Sequence, residues 1–436
     1  MNARLTRRAA LKHLGAAAVA ASAIGALRRR AAAAEATQLQ FMTWNYQNDT
    51  VQQFINQFQL ENPDIKVNMQ VIPGNEYIPK IQLMQSSKTP FDVLYVADGI
   101  LAQWSPWLQP LDGYDGAAAL KRQMLNLAER SMTYQGRLYG LPYFSSYFAL
   151  MYNDRMLKAA GFAAPPKTYE EWTAQARAIK SKGLSKAPML WPVKITGWGG
   201  MWVVNAMAAS RGGRVLDDSY NITPIATESL RWWASTYREG LSDPNGLELD
   251  PNTSAAAFMS GDYATMLTTS FFAGPQWAND KDKSKVVGVT KLGPTPVLHK
   301  TAGFARLYAM NGASSHKAEA WRFMQYMGGT DKNGNFVTPK AWVVSGALTW
   351  GYKGVDRDPV VAQSLRSWGA DPSQIESNLE NAVPMSAVVP FQAVWYSEWE
   401  QYANGVLQDM LAGRTPPEQG GSAWSAKAKE LAARYR

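Results

Sequence analysis

Seventeen tryptophans, all after residue 43, and the complete absence of cysteine set the chemistry open to this chain. Without a thiol there is no disulfide, no thiolate nucleophile and no cysteine to carry a lipid. Beyond residue 34 only His299 and His316 remain, in no metal-ligand spacing. No Gly-Lys-Ser/Thr phosphate loop occurs. Two carboxylates across a cleft would suffice for glycoside hydrolysis, and thirty-five acidic residues leave that reaction open. The residue types otherwise favour holding a small molecule, with aromatic rings to stack on it and Asp, Asn and Arg to hydrogen-bond it.

Several windows carry such groups. Trp44 and Asn45 close the first strand, at the end of an open α/β sheet where ligands bind; strand-end packing and a helix N-cap are equal alternatives. Asp98 follows the Val93–Val96 run and could accept from hydroxyls, although turn chemistry explains it nearly as well. In Trp198-Gly199-Gly200-Met201-Trp202 the glycines permit close backbone approach to a ligand and the two indoles could clamp a ring. Arg306 could pair with a sulfonate, phosphate or carboxylate, or bond backbone carbonyls. Trp395 and Trp399 share one helical face and read as core.

The elements that must position these groups alternate. Phe41–Trp44 is a strand, and Val51, Phe54, Ile55 and Phe58 have helical spacing. Ile65, Val67, Met69 and Val71 alternate with polar residues, and a helix over about 77–87 leads to a buried strand at 91–96. That order implies a parallel sheet faced by helices. The stretch from Gly136 to Trp172 is the most heavily punctuated: Gly136 and Gly140 bracket a turn and short strand, and Pro142 removes a backbone donor. Tyr147–Tyr152 is a strand buried on both faces. Asn153-Asp154 caps a helix that Gly161 stops, and Thr168 with Glu171 forms a capping box. Further strands are expected at 188–193, 264–268, 286–290 and 307–310, a helix at 317–327, and a mostly helical tail.

At 436 residues the chain has room for two or three cores. Its formal charge of +9 is concentrated before residue 35, where seven Arg and Lys meet no acid; the remainder carries about +2, which gives no reason to expect nucleic acid as a partner. Thr6-Arg7-Arg8-Ala9-Ala10-Leu11-Lys12, the weakly apolar Leu14–Leu27 and the small residues of 31–36 read as a twin-arginine signal peptide over 1–34, cleaved near Glu35. The expectation is a protein free in a bacterial periplasm, monomeric, with no cofactor and no metal.

Phe54 through Val67, Tyr77 with Lys80, Pro90-Phe91-Asp92-Val93, Leu108-Gln109-Pro110-Leu111-Asp112, the Gly136–Trp172 block, Arg211-Gly212-Gly213, Ala257–Met266, Pro294-Thr295-Pro296 and Ser315–Trp321 run in the order found in family 1 extracellular solute-binding proteins of ABC importers. The chain resembles that family over residues 38–436. The resemblance implies a periplasmic binding protein fold of two α/β lobes, each a mostly parallel sheet flanked by helices, with ligand in the cleft between them. Residues 35–142 with 299–349 would form one lobe, and 143–298 with 350–436 the other. It also implies closure over a sugar or related polyol, with delivery to an ABC permease in the membrane. Tyr143 and Ser146 fall where the family crosses between lobes, Tyr143 serving either ligand or hinge packing. Phe271 or Phe272 falls where relatives place a stacking aromatic. The ligand class spans neutral saccharides, polyols, anionic sugar derivatives and glycerol phosphodiesters. A secreted carbohydrate-processing hydrolase is the alternative from another class, and a structural adhesin a third.

Overall fold

Apart from a small hairpin of Thr133–Tyr134 with Arg137–Leu138, the strands in chain order are β1 (Thr37–Trp44), β2 (Ile65–Ile72), β3 (Val93–Ala97), β4 (Gly140–Asn153), β5 (Met189–Leu190), β6 (Thr265–Thr269), β7 (Thr290–Gly293), β8 (Ala302–Met310) and β9 (Val383–Pro384). They belong to a computed structural model that describes residues 36–195 and 199–435. The signal segment expected at 1–34 and Trp198 lie outside the described residues. The strands stand in the order β2-β1-β3-β8-β4-β6-β5, with β7 beside β4 and β9 beside β8.

The first half follows from hydrophobic periodicity. α1 (Asn48–Glu61) buries Val51, Ile55 and Phe58, the residues with helical spacing. β2 alternates buried Ile65 and Val67 with exposed Lys66 and Asn68. α2 (Gly74–Ser86) then leads into β3. β1 pairs parallel with both β2 and β3, as right-handed crossovers through helices require.

β4 organises the molecule. All fourteen of its residues are buried. Its first half pairs antiparallel with β8, which in turn pairs with β3. Its second half pairs with β6 and β7. One strand is thus shared by two sheets and carries the chain from the first lobe into the second. The two-lobed α/β architecture expected above is present, but both sheets are mixed: β8 runs against β3 and β4 in the first, and in the second β5 and β6 are parallel while β4 and β7 run against β6 and β4 respectively.

The punctuation of this crossing behaves as its chemistry dictates. Pro142 lies inside the strand rather than at its end, and the ladder yields around it. Arg306 faces Phe144, Leu307 faces Pro142, and Tyr143 is left without a partner in a bulge. The Asn153 side chain accepts from Met156 N at 3.1 Å, and Gly161 ends the helix with φ 97°. Thr168 Oγ1 accepts from Glu171 N at 3.1 Å, while the Glu171 carboxylate reaches Lys167 N, one residue short of a reciprocal box. α3 (Tyr169–Ser181) is then fixed to β6 by Trp172 Nε1 donating to Thr265 Oγ1 at 2.9 Å.

Two expected strands differ. The run 188–193 contributes only Met189 and Leu190, because Pro192 can supply no ladder donor. The run 286–290 is a turn, with Gly288 at φ 74° and Thr290 N bonded back to Val286 O; the strand begins at Thr290.

Four helices form much of the second half: α4 (Gly200–Ser210), α5 (Pro224–Arg238) and, late in the chain, the pair that covers them. Before that pair, α6 (Val337–Gly346) packs with the helix at Pro359–Ser367, and the helix at Pro372–Asn381 packs on Asn126–Met132. Asn126 N donates to Glu380 Oε2 at 2.9 Å. α7 (Tyr396–Leu411) and α8 (Pro417–Arg434) instead pack on α4 and α5. In the C-terminal part the helix at Pro372–Asn381 thus packs on Asn126–Met132 of the first half, while the last two helices pack on α4 and α5 of the second.

Gly140 starts the crossing at a point where a Cβ would lie 2.7 Å from Leu307 Cβ and 2.9 Å from Tyr308 O. Gly140→Ala should therefore lower unfolding free energy in urea by about 1–3 kcal/mol. An unchanged midpoint would show that β4 and β8 can separate freely.

Candidate ligand-binding site

Cross-strand pairing builds the floor of the site. Phe144 stands opposite Arg306 and Ser146 opposite Phe304, so these side chains share one face of β4 and β8. The Phe144 ring lies edge-on to Phe304 at 6.2 Å.

One wall comes from the ends of β1 and β3. Trp44 is half-buried and stacks on Tyr46 at 5.0 Å and on Tyr95 at 5.3 Å, nearly parallel to both. It also lies 6.4 Å from Phe144. The opposite wall comes from the second lobe and α7. Phe271 sits edge-on to Phe144 at 6.4 Å. Trp202 sits edge-on to Phe304 at 5.0 Å and to Phe391 at 5.7 Å. Phe391 closes against Gly99, where a Cβ would come within 2.9 Å of the ring. The end of α6 ties into both walls: Tyr46 OH donates to Gly346 O at 2.8 Å, and Gln276 Nε2 of the second half donates to Ser345 O.

Two buried polar groups lie in this aromatic box. Asp98 Oδ1 accepts from Arg306 Nη1 at 2.9 Å and Oδ2 accepts from Ala305 N at 3.0 Å. The guanidinium also lies 4.5 Å from the Phe304 ring centre and 5.5 Å from that of Trp202. Burial pushes the Asp98 carboxyl up to about 6, in spite of Arg306 and the backbone donors of Ala305 and Gly99. The second group is Glu400, on α7. Its Oε1 accepts from Trp202 Nε1 at 2.7 Å and from Tyr396 OH at 2.8 Å. Burial raises it to about 8, against the lowering effect of those two donors and of Arg306.

The expected residues fare differently. Trp44, Phe271, Trp202, Asp98 and Arg306 converge on this floor from five separate segments. Asp98 and Arg306 face each other, so each satisfies the other. Phe271 rather than Phe272 turns toward Phe144; Phe272 is fully buried, edge-on to Trp277 at 4.9 Å. Tyr143, displaced by the bulge, is buried and stacks on Tyr308 at 4.6 Å and on Trp342 at 5.2 Å. Asn45 is exposed and accepts from Asn48 Nδ2 at 2.7 Å, a local bond at the start of α1. Gly199 is buried at the N-cap of α4 with φ 144°. Trp399 donates to Trp424 O at 3.0 Å in the core. Glu400, Tyr396, Tyr95 and Phe391 stand among these groups and were not expected. The Tyr396–Glu400 spacing of one helical turn was a readable signal; the contact with Trp202 was not. A separate cavity of about 360 Å³ is lined by Asn205, Gly213 and Val388 and by none of these groups.

Two lobes joined by shared strands, with an aromatic cleft at the junction, define a binding-protein architecture. The chain belongs to the bacterial extracellular solute-binding protein family, whose pattern matches residues 44–333. It is 25% identical over 277 residues to a protein of Brucella abortus described as a binding protein; that alignment covers 62% of this chain and 66%, just under two thirds, of the relative. It is 25% identical to the mannitol-binding protein of Pseudomonas aeruginosa, over 60% of this chain and 61% of that one. Among solved structures, maltose-bound T. maritima MalE3 superposes with a TM-score of 0.78 at 18% identity, covering 91% of this chain and all of the other. A mannitol-bound solute-binding protein of Agrobacterium vitis gives 0.73 at 18% identity, with 92% and 99% covered.

A carboxyl whose folded pKa lies above its unfolded value contributes stability that is complete below the unfolded pKa and disappears as pH rises through the folded one. For Glu400 that window runs from about 4.5 to about 8. The unfolding midpoint of the wild type should therefore fall relative to that of Glu400→Gln between these pH values. Parallel pH profiles would show that Glu400 is not held as a buried acid.

Proposed function

We propose that this protein is the substrate-binding component of an ABC importer, capturing a neutral polyol or small saccharide between its lobes and handing it unchanged to a membrane permease. The observation that carries the reading is the Asp98–Arg306 pair. The one guanidinium on the cleft floor is already neutralised by a carboxylate at 2.9 Å, and aromatic rings cover much of its remaining surface. An anionic ligand would have to break that pair; a neutral one need not. Stacked rings suit the C–H faces of a polyol or sugar, and the groups around them suit its hydroxyls. The mannitol and maltose in the names of the relatives and structural neighbours support the same chemistry.

Hydrolysis is disfavoured on the same geometry. Both oxygens of Asp98 are engaged, by Arg306 and by Ala305 N, so it is no free nucleophile. Among the described residues no group of three or more His, Asp or Glu side chains could hold a metal ion, and no helix is long and apolar enough to cross a membrane. We further propose twin-arginine export, signal cleavage near Glu35, a periplasmic monomer, and a first lobe that takes in residues up to about Val383.

A thermal-shift panel tests the proposal. D-mannitol, ribitol or maltose at about a hundred times its dissociation constant should add roughly 2.7 kcal/mol of stability. The corresponding sugar and polyol phosphates should add much less. Stabilisation by the phosphates alone would move the reading to anionic ligands.

A further inference from the structure

Glu400 is placed in a way that packing alone does not explain. It is 5% exposed, and among the described residues no cation bonds it. Arg306 acts on it only at longer range while bonded to Asp98. A buried carboxyl with no partner for its second oxygen is costly, and a structural acceptor for Trp202 and Tyr396 would not need that oxygen. Yet both donors go to Oε1, at 2.7 and 2.8 Å, and Oε2 takes no hydrogen bond among the described residues.

The surroundings hold that unused oxygen in a fixed place. The two donors approach from different elements, Trp202 from α4 and Tyr396 from one turn earlier on α7, so the carboxyl plane is set by two bonds. Phe391 packs on both donors, at 5.7 Å from Trp202 and 4.7 Å from Tyr396. Asn404, one turn further along α7, accepts from Met201 N at 2.9 Å and so fixes the start of α4 relative to Glu400. Asp98 acts electrostatically on Tyr396, which places this cluster beside the Asp98–Arg306 pair of the first lobe.

We infer that Glu400 is the specificity-determining residue of the cleft, presenting Oε2 to one hydroxyl of a neutral polyol or saccharide while Oε1 is locked by Trp202 and Tyr396. This rests on the solute-binding reading above and adds a residue and a recognition rule to it. A buried polar group built to meet a ligand hydroxyl rejects an analogue lacking it, because the group is then left unpaired. Burial raises the carboxyl and so favours the protonated acid; with Oε1 occupied as an acceptor, a proton on Oε2 would donate to the ligand oxygen. Glutamine offers an N–H donor at the same place and keeps an oxygen for Trp202 and Tyr396.

The test is calorimetric titration of wild type, Glu400→Gln and Glu400→Ala at pH 7 with D-mannitol, with maltose, and with singly deoxygenated forms of each. The expected result is that removing one particular hydroxyl weakens wild-type binding at least tenfold. Glu400→Gln should keep that discrimination, and Glu400→Ala should abolish it, binding parent and deoxy analogue alike. A Glu400→Ala variant that weakens every ligand by the same factor and preserves the ratio overturns the inference, since that is what a purely structural carboxyl would do. Wild type that binds no member of either series overturns the solute-binding reading itself, and the inference with it, so the two failures are distinguishable.

Discussion

The buried Asp98–Arg306 pair is the interaction on which the cleft depends. A guanidinium taken out of water is tolerable only when it is paired and its other surfaces are well packed. Here Asp98 supplies the charge, Phe304 and Trp202 supply the packing, and Ala305 N occupies the second carboxylate oxygen. The pair spans 208 positions of sequence and links β8, the neighbour of the crossing strand β4, to the first turn after β3. Breaking it would expose an uncompensated charge at the point where the lobes meet. Its presence makes the floor of the cleft electrically close to neutral.

The aromatic rings follow from that arrangement. Pro142 deprives the ladder of a donor, the bulge at Tyr143 absorbs the defect, and Phe144 is left opposite Arg306 on the cleft face. Tyr143 instead stacks between Tyr308 and Trp342. Two adjacent aromatic residues are thus divided between the face of Arg306 and the packing against Tyr308 and Trp342. Phe391, just before α7, fits only because residue 99 has no side chain, and its ring thus packs against the first lobe beside Asp98.

Much of this frame was legible in the sequence. Asn153, Gly161 and Thr168 mark real helix ends because capping is a local affair of a few backbone donors. The crossing at β4 was readable as an unbroken apolar run, since a strand covered on both faces leaves no alternation. The Asp98–Arg306 bond was not legible, because it depends on the register of β8 against β3 and β4, which local pattern does not encode. Asp98 and Arg306 therefore stood as two independent ligand-binding candidates when they are partners. Phe271 and Phe272 are neighbours in a turn, and only the position of Phe144 tells them apart. Glu400 escaped notice because a glutamate on an amphipathic helix ordinarily faces water, and its burial is decided by Trp202 on a helix two hundred residues away.

The most direct measurement of the central claim is the ratio of affinities for D-mannitol and D-mannitol 1-phosphate in wild type and in Asp98→Asn, by calorimetry at constant pH and salt. If Asp98 neutralises the cleft floor, the near-isosteric amide frees Arg306 and the ratio shifts toward the phosphorylated ligand. An unchanged ratio in a folded Asp98→Asn protein would contradict the account.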